Sequence, residues 1–425
     1  MRKLLTFLYG ELIGVLEQND SGRRSFQYVR EAQLPFNLSL ALPYRSTEYS
    51  PKLTAAFIEG LIPERREVRE AFAQEFEISA DNPFSLLEHI GLDCAGAVQF
   101  VRPEELEMFL AREGELIPYT DKQIGARLRR MNASPQASWT MHRERWSLAG
   151  AQSKFALRWD NGWHEATGTE PTTHIFKPGI QDLKEQALNE HLCLKTLGKV
   201  GLKVASTEYT TFDAEPAIII ERYDRERIGN AVTRIHQEDL CQATSTLPRN
   251  KYESNKGPSA LKVIETLRRA RISESEVLKF IEGLISNYLI GAPDAHAKNY
   301  SILHHSDGHI ELAPFYDIAS GFPYETVSDD GLPGRNDELR KAAMAIGGER
   351  FFYRISRKHW TKFAHDARIS EDWLLNTVAY LATAIPSALA QTIEEEPAAQ
   401  HSDLPGRLIP TVTQHCENAL TNLTS

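Results

Sequence analysis

Hydrophobic and polar positions divide the chain into three stretches. In the first, residues 4–9 and 14–17 read as strands joined through a turn at Gly10. Segments 51–62, 64–76, 83–90 and 103–111 read as helices, each opened by proline or a charge-rich turn. A polar stretch, 130–138, reads as a linker. The second stretch, about 140–250, is strand-rich. Residues 155–159 and 163–167 flank Asp160-Asn-Gly162, a hairpin signal, and 173–177 is a further short strand. A helix over 183–199 and strands over 206–212 and 217–221 complete it. From about 258 onward the pattern turns helical. Val277, Phe280, Ile281, Leu284, Ile285, Tyr288 and Leu289 recur at helical spacing and predict a core-facing stripe that stops at Gly291. Later helices are predicted over 371–390 and 406–420.

Composition narrows the class. The chain carries 25% charged and 41% hydrophobic residues, ordinary for a soluble globular protein. Its net charge of −10 argues against strong non-specific DNA binding by the chain itself. Cys94, Cys193, Cys241 and Cys416 are far apart and form no C-x-x-C pair, so a reducing cytoplasm is expected, without a zinc site or disulfide framework. Glu11 and Glu17 interrupt the apolar start, which reads as a strand rather than a secretory signal. No run approaches the roughly 20 apolar residues of a membrane span, and no membrane partner is expected. A strand-rich lobe with one helix, followed by a helical lobe, is the outline of a kinase; outline alone does not assign function.

The chemistry-bearing residues follow the same order. Phosphoryl transfer needs a carboxylate to orient a hydroxyl, metal ions across the phosphates, and a cation on them. Asp294 and Asn299 form D-x-x-x-x-N, directly after the apolar helix; taken alone this could equally be a capped polar turn. Asp317 stands inside the apolar segment 312–319, where a carboxylate requires a partner such as a chelated metal, or else a cap or an ion pair. Lys177 ends a strand, where many lysines are merely solvated; it could reach phosphates with Glu190 of the next helix as its ion-pair partner. Residues 147–154 could cover phosphates with backbone N–H groups, although they lack G-x-G-x-x-G. The strand 218–221 leads into a polar segment where a kinase chain would meet adenine.

These motifs, together with Gln237-Glu-Asp-Leu-Cys-Gln242, Lys251-Tyr-Glu253, Phe57-Ile-Glu-Gly-Leu-Ile-Pro63 and Gly91-Leu-Asp-Cys-Ala-Gly-Ala-Val98, resemble HipA-type serine/threonine kinase toxins along nearly the whole chain. The resemblance implies an α+β, bilobal protein-kinase-like fold. Residues 1–125 would be an added N-terminal subdomain, 140–255 a strand-rich N-lobe and 256–425 an all-helical C-lobe. It implies ATP and Mg²⁺ as cofactors, Asp294 as the catalytic carboxylate, and Asn299 and Asp317 as metal ligands. Nucleotide contacts are expected from Ala149, Gly150, Ala151, Gln152, Ser153, Lys154, Lys177, Glu221, Arg222, Tyr223, His296, Lys298, Asn299, Tyr316 and Asp317. Lys298 could also screen the transferred phosphate. Ser147 falls on the family's autophosphorylation serine. The implied partners are a helix-turn-helix, HipB-like antitoxin, operator DNA through it, and a protein substrate, an aminoacyl-tRNA synthetase with glutamyl-tRNA synthetase foremost. Pro293 departs from the family pattern and should stiffen the loop. The polar, Gly-rich segment 327–340 is expected to be a loop near the protein substrate. Two rivals remain: a small-molecule phosphotransferase using the same carboxylates, and a non-catalytic ATP-binding co-repressor.

Overall fold

The computed structural model describes residues 1–29, 35, 37–134, 139, 144–229, 231–326 and 336–424. Residues 135–138 of the expected linker and 327–335 of the expected loop lie outside the described residues. The chain divides into two compact units, Met1–Pro178 with Thr211–Arg249 and Ile302–Glu311, and Gly179–Thr210 with Asn250–Ser301 and Leu312–Ser425.

The first unit opens with an antiparallel sheet in the order Arg24–Tyr28, Glu11–Gln18, Arg2–Leu8, Val98–Val101. The first two strands are those the sequence predicts; the edge strand Arg24–Tyr28 is additional. Helices Pro51–Leu61, Arg66–Phe76 and Pro83–Ile90 add Phe57, Leu61, Phe72 and Phe84 to the core under Leu4 and Leu8. The segment expected as one helix over 103–111 is a 3-10 turn, Pro103–Glu105, running into a short helix, Leu106–Leu110. A second sheet runs Leu116–Pro118, Trp163–Ala166, Phe155–Trp159, His174–Lys177, Glu215–Glu221, with the end of Thr207–Phe212 at its edge. Phe155, Leu157, Phe176 and Ile219 of this sheet belong to the same core as Leu4 and Phe57. Residues 1–125 and the strands that follow are therefore held by one continuous apolar interior.

The helix Asp121–Ala133 runs into the stretch expected as a linker. Thr120 and Gln123 form a capping box that starts it, and Ile124, Leu128 and Met131 bury one face. Arg127 is also buried, because Glu144 receives its guanidinium at 2.7 and 2.8 Å above the Phe155 ring. A paired arginine in a core position disguised the helix as polar sequence.

The second unit is mainly helical: Gln186–Lys199, Ala260–Arg269, Glu274–Ile290, Arg357–Ala367, Glu371–Glu395 and Leu404–Thr424. It also holds a two-stranded hairpin, Lys341–Ile346 with Glu349–Phe351, so this part is not all-helical. The predicted stripe from Val277 to Leu289 is buried throughout. Among the described residues one helix, Glu371–Glu395, is long and apolar enough to cross a membrane by length and composition. It buries Leu374, Val378, Leu381, Ile385 and Leu389 along one face and packs against Leu404–Thr424, Gln186–Lys199 and Glu274–Ile290, as a core helix does.

Candidate active site

The helix Glu274–Ile290 ends where Gly291 takes φ 69° and returns its N–H to the carbonyl of Tyr288 at 3.2 Å. A Cβ there would lie 2.3 Å from the Phe322 ring, so the stop needs glycine for both conformation and space. The chain then makes a tight polar turn. The Asp294 carbonyl accepts the His296 N–H and the Asn299 side-chain amide, both at 2.8 Å, and the His296 carbonyl accepts the Asn299 N–H at 2.9 Å. Ala295, His296, Ala297, Lys298 and Asn299 are all buried. Asp294 alone in residues 291–300 is exposed, its side chain 57% accessible. The loop thus presents one carboxylate on a rigid base.

The Asp317 segment is folded onto that base. Gly321 N–H donates to the Gly291 carbonyl at 2.7 Å. The Tyr316 hydroxyl donates to the Lys298 carbonyl at 2.8 Å and lies 2.7 Å from the Ser301 hydroxyl. Phe315 is clasped from the other side by Lys203 and Ala205 through backbone bonds of 2.9 and 2.8 Å. Between these anchors Asp317 adopts φ 58°, left-handed and costly for a side chain with a Cβ. Strain of this kind persists where the surroundings over-determine it and concentrates at functional sites. Asn189 exchanges two hydrogen bonds with Ser320, 2.8 and 3.1 Å, fixing the helix that carries Glu190 against the same segment. Glu190 itself is fully buried.

The second unit therefore gathers Asp294, His296, Lys298, Asn299, Tyr316 and Asp317. Among the described residues no cluster of three or more His, Cys, Asp or Glu could cage a metal. Asn299 and Asp317 nevertheless suit Mg²⁺, which commonly takes one or two protein oxygens and completes its shell with phosphates and water. Because the Asn299 amide nitrogen is used on Asp294, its amide oxygen remains as an acceptor.

The first unit holds residues 147–154, Lys177 and 221–223 of the predicted set. Ser147 is buried, its hydroxyl donating to the Leu61 carbonyl at 2.7 Å and its N–H to the Asp93 carbonyl at 3.0 Å. Gly150 pairs with Pro63 and accepts the Glu64 N–H at 3.0 Å, while Lys154 Nζ donates to the Ala149 carbonyl at 2.7 Å. Residues 147–154 are thus tethered to the N-terminal region. Phe155 pairs with Phe176, so Lys154 and Lys177 flank the same end of the paired strands. Lys177 is buried opposite Ile218, on the strand whose exposed end is Glu221.

Arg222, expected near adenine, uses its side chain elsewhere. Its guanidinium meets Asp224 at 2.9 Å, Asp93 at 3.3 Å and Thr172 at 2.8 Å. Arg225 and Arg234 reach Asp93 at 2.9 and 3.0 Å, and the Gly96 N–H caps Asp224 at 2.6 Å. Burial alone would push the Asp93 carboxyl up; Arg225, Arg234 and Arg222 outweigh it and hold it well below the usual range. Only the backbone of Arg222 remains for a nucleotide.

Two residues given no role from the sequence also hold the site. Asn189 holds the Asp317 segment, and Tyr252 donates its hydroxyl hydrogen bond to Asp294 Oδ1. Their partners lie 131 and 42 residues away in sequence.

Comparison with known proteins agrees with this geometry. Residues 4–101 match the HipA N-terminal domain and residues 146–389 the HipA-like C-terminal domain. A putative kinase of Sinorhizobium fredii, Y4mE, is 33% identical over 93% of both chains. The serine/threonine-protein kinase toxin HipA of Shewanella oneidensis is 28% identical over 85% of this chain and 82% of its own. In fold, the chain is similar to a solved chain from the Shewanella oneidensis complex of HipA, HipB and operator DNA, with TM-score 0.81, 24% identity, and coverage of 98% and 97%. The chain belongs to the HipA family and is a serine/threonine-protein kinase of that toxin family.

Proposed function

We propose that this kinase uses ATP and Mg²⁺ to phosphorylate a hydroxyl on a bacterial protein, and so arrests growth. The observation that carries the reading is the single exposed carboxylate, Asp294, on an otherwise buried loop, with Asn299 and the strained Asp317 on joined segments. Asp294 accepts the proton of the substrate hydroxyl as its oxygen bonds the γ-phosphorus and ADP departs. Asn299 and Asp317 hold the metal, which when bound neutralises charge on the phosphates. Lys177 contacts phosphates and pairs with Glu190. Residues 149–154 cover the nucleotide, and the backbone of 221–223 meets adenine. In this reading 1–125 is the added subdomain, 140–255 the nucleotide lobe and 256–425 the catalytic lobe. The test is Asp294→Asn: growth inhibition and phosphoryl transfer should fall by at least about a thousandfold with the unfolding midpoint unchanged. Wild-type turnover in D294N rejects the reading.

The partner proposed is a helix-turn-helix antitoxin that carries the kinase to operator DNA, supported by the relative solved with HipB and operator and by this chain's net charge of −10. The target proposed is an aminoacyl-tRNA synthetase, with glutamyl-tRNA synthetase the first to assay; the family resemblance supports it. Four buried free cysteines support a cytoplasmic setting.

Ser147 is proposed as an autophosphorylation site. A phosphate brings about −1.5 to −2 charges, and the Ser147 hydroxyl is buried against the Leu61 carbonyl. The modified loop cannot keep this position. Phospho-Ser147 protein should bind ATP at least about tenfold more weakly; equal affinity by calorimetry rules this out.

A further inference from the structure

Asp294 carries two oxygens with different surroundings. Oδ1 accepts the Tyr252 hydroxyl and lies 3.6 Å from His296 Nε2. Oδ2 makes no hydrogen bond to any described residue, on a side chain that is 57% exposed. A carboxylate free to rotate about χ2 would exchange these oxygens and blur the direction in which it accepts a proton. Here one oxygen is taken by a donor from outside the loop.

That donor is itself firmly held. The Tyr252 ring stands edge-on to the buried His296 ring, centroids 4.8 Å apart at 83°. Its carbonyl accepts the N–H groups of Asn255 and Gly257, both at 2.9 Å. A Cβ on Gly257 would fall 2.1 Å from the Asn250 carbonyl oxygen, so this knot closes only around a glycine. The next residue, Glu253, receives the Ala345 N–H of the hairpin strand at 2.6 Å. Ring, backbone and neighbouring side chain thus fix the phenol.

We infer that Tyr252 is a positioning residue for phosphoryl transfer: its hydroxyl locks Asp294 Oδ1, so that Oδ2 is aimed at the substrate hydroxyl. The inference rests on the reading of Asp294 as the proton acceptor. Tyr252 exchanges no proton with the substrate. It sets the geometry in which Asp294 takes the substrate proton while the phosphorus–oxygen bond to ADP breaks.

The full chain with ATP and magnesium provides the test, reading ADP formed, nucleotide affinity and thermal midpoint together. Tyr252→Phe keeps the ring on His296 and removes only the hydroxyl. It should lower kcat roughly 10- to 100-fold, with KM and Kd for ATP within about twofold and the midpoint unchanged. Tyr252→Ala also removes the ring and should match that kcat loss while lowering the midpoint. A wild-type or raised kcat in Y252F overturns the inference; a raised rate would mean the phenol obstructs the substrate seat. So does a loss carried by KM, ATP affinity and midpoint together, which is a structural defect. D294N separates the two levels. An inactive D294N beside a fully active Y252F overturns this inference alone, whereas an active D294N overturns the reading of Asp294 beneath it.

Discussion

The two units use aspartate in opposite ways. Around Asp93 and Asp224, three arginines meet two carboxylates in the interior, and every one of those charges is paired. Around Asp294 the carboxylate is exposed and is held by a phenol, with a histidine ring 3.6 Å from the same oxygen. Buried ions repay their desolvation only when geometry and hydrogen bonding are complete, so the first arrangement fixes structure. A carboxylate that must accept a proton has to meet substrate and needs direction more than neutralisation. Charge count alone would have pointed to the first unit rather than to the carboxylate proposed for proton transfer.

Exchanging the two roles by mutation should break the symmetry of that comparison. The largest effect on activity is expected from D294N, with stability intact. The largest effect on stability should come from Asp93→Ala, which leaves Arg222, Arg225 and Arg234 facing one another; a loss of about 3–5 kcal/mol in urea unfolding is expected. A loss under about 1 kcal/mol would mean the node is not structural. Acid should produce a smaller effect per group. Burial pushes the His236 imidazole down from 6.5 to about 3, with His304 adding to it, and burial pushes His415 down to about 4. Between these values and 6.5 the unfolded chain binds protons that the folded chain does not, so stability falls as pH drops through that window. By pH 5 each histidine should contribute a loss of roughly 2 kcal/mol relative to pH 7. Stability that stays flat between pH 7 and 5 would contradict the neutral, buried state of both rings.

Much of the second unit was legible because its signals are local. The stripe from Val277 to Leu289 and the stop at Gly291 lie within a few residues of what they specify. What escaped depends on distant partners. Arg127 hides a core helix because Glu144 neutralises it. Asp93 looks like one more loop carboxylate until Arg222, Arg225 and Arg234 arrive from about 130 to 140 positions away. Tyr252 sits in a recognisable motif, yet nothing in the motif shows that its hydroxyl ends on Asp294. Strand pairing and side-chain hydrogen bonds across such separations follow from the packed fold, not from periodicity.

The tether of residues 147–154 has a consequence for how such a kinase can be divided. The two family regions, 4–101 and 146–389, invite a cut between them. Yet Gly150 is laced to Pro63 and Glu64, Trp146 pairs with Asp93, and Ser147 hangs from Leu61. A cut placed in that gap severs residues 147–154 from their mooring and opens a shared interior to water. The border visible in the sequence does not mark a separable part, because the packed interior runs straight across it.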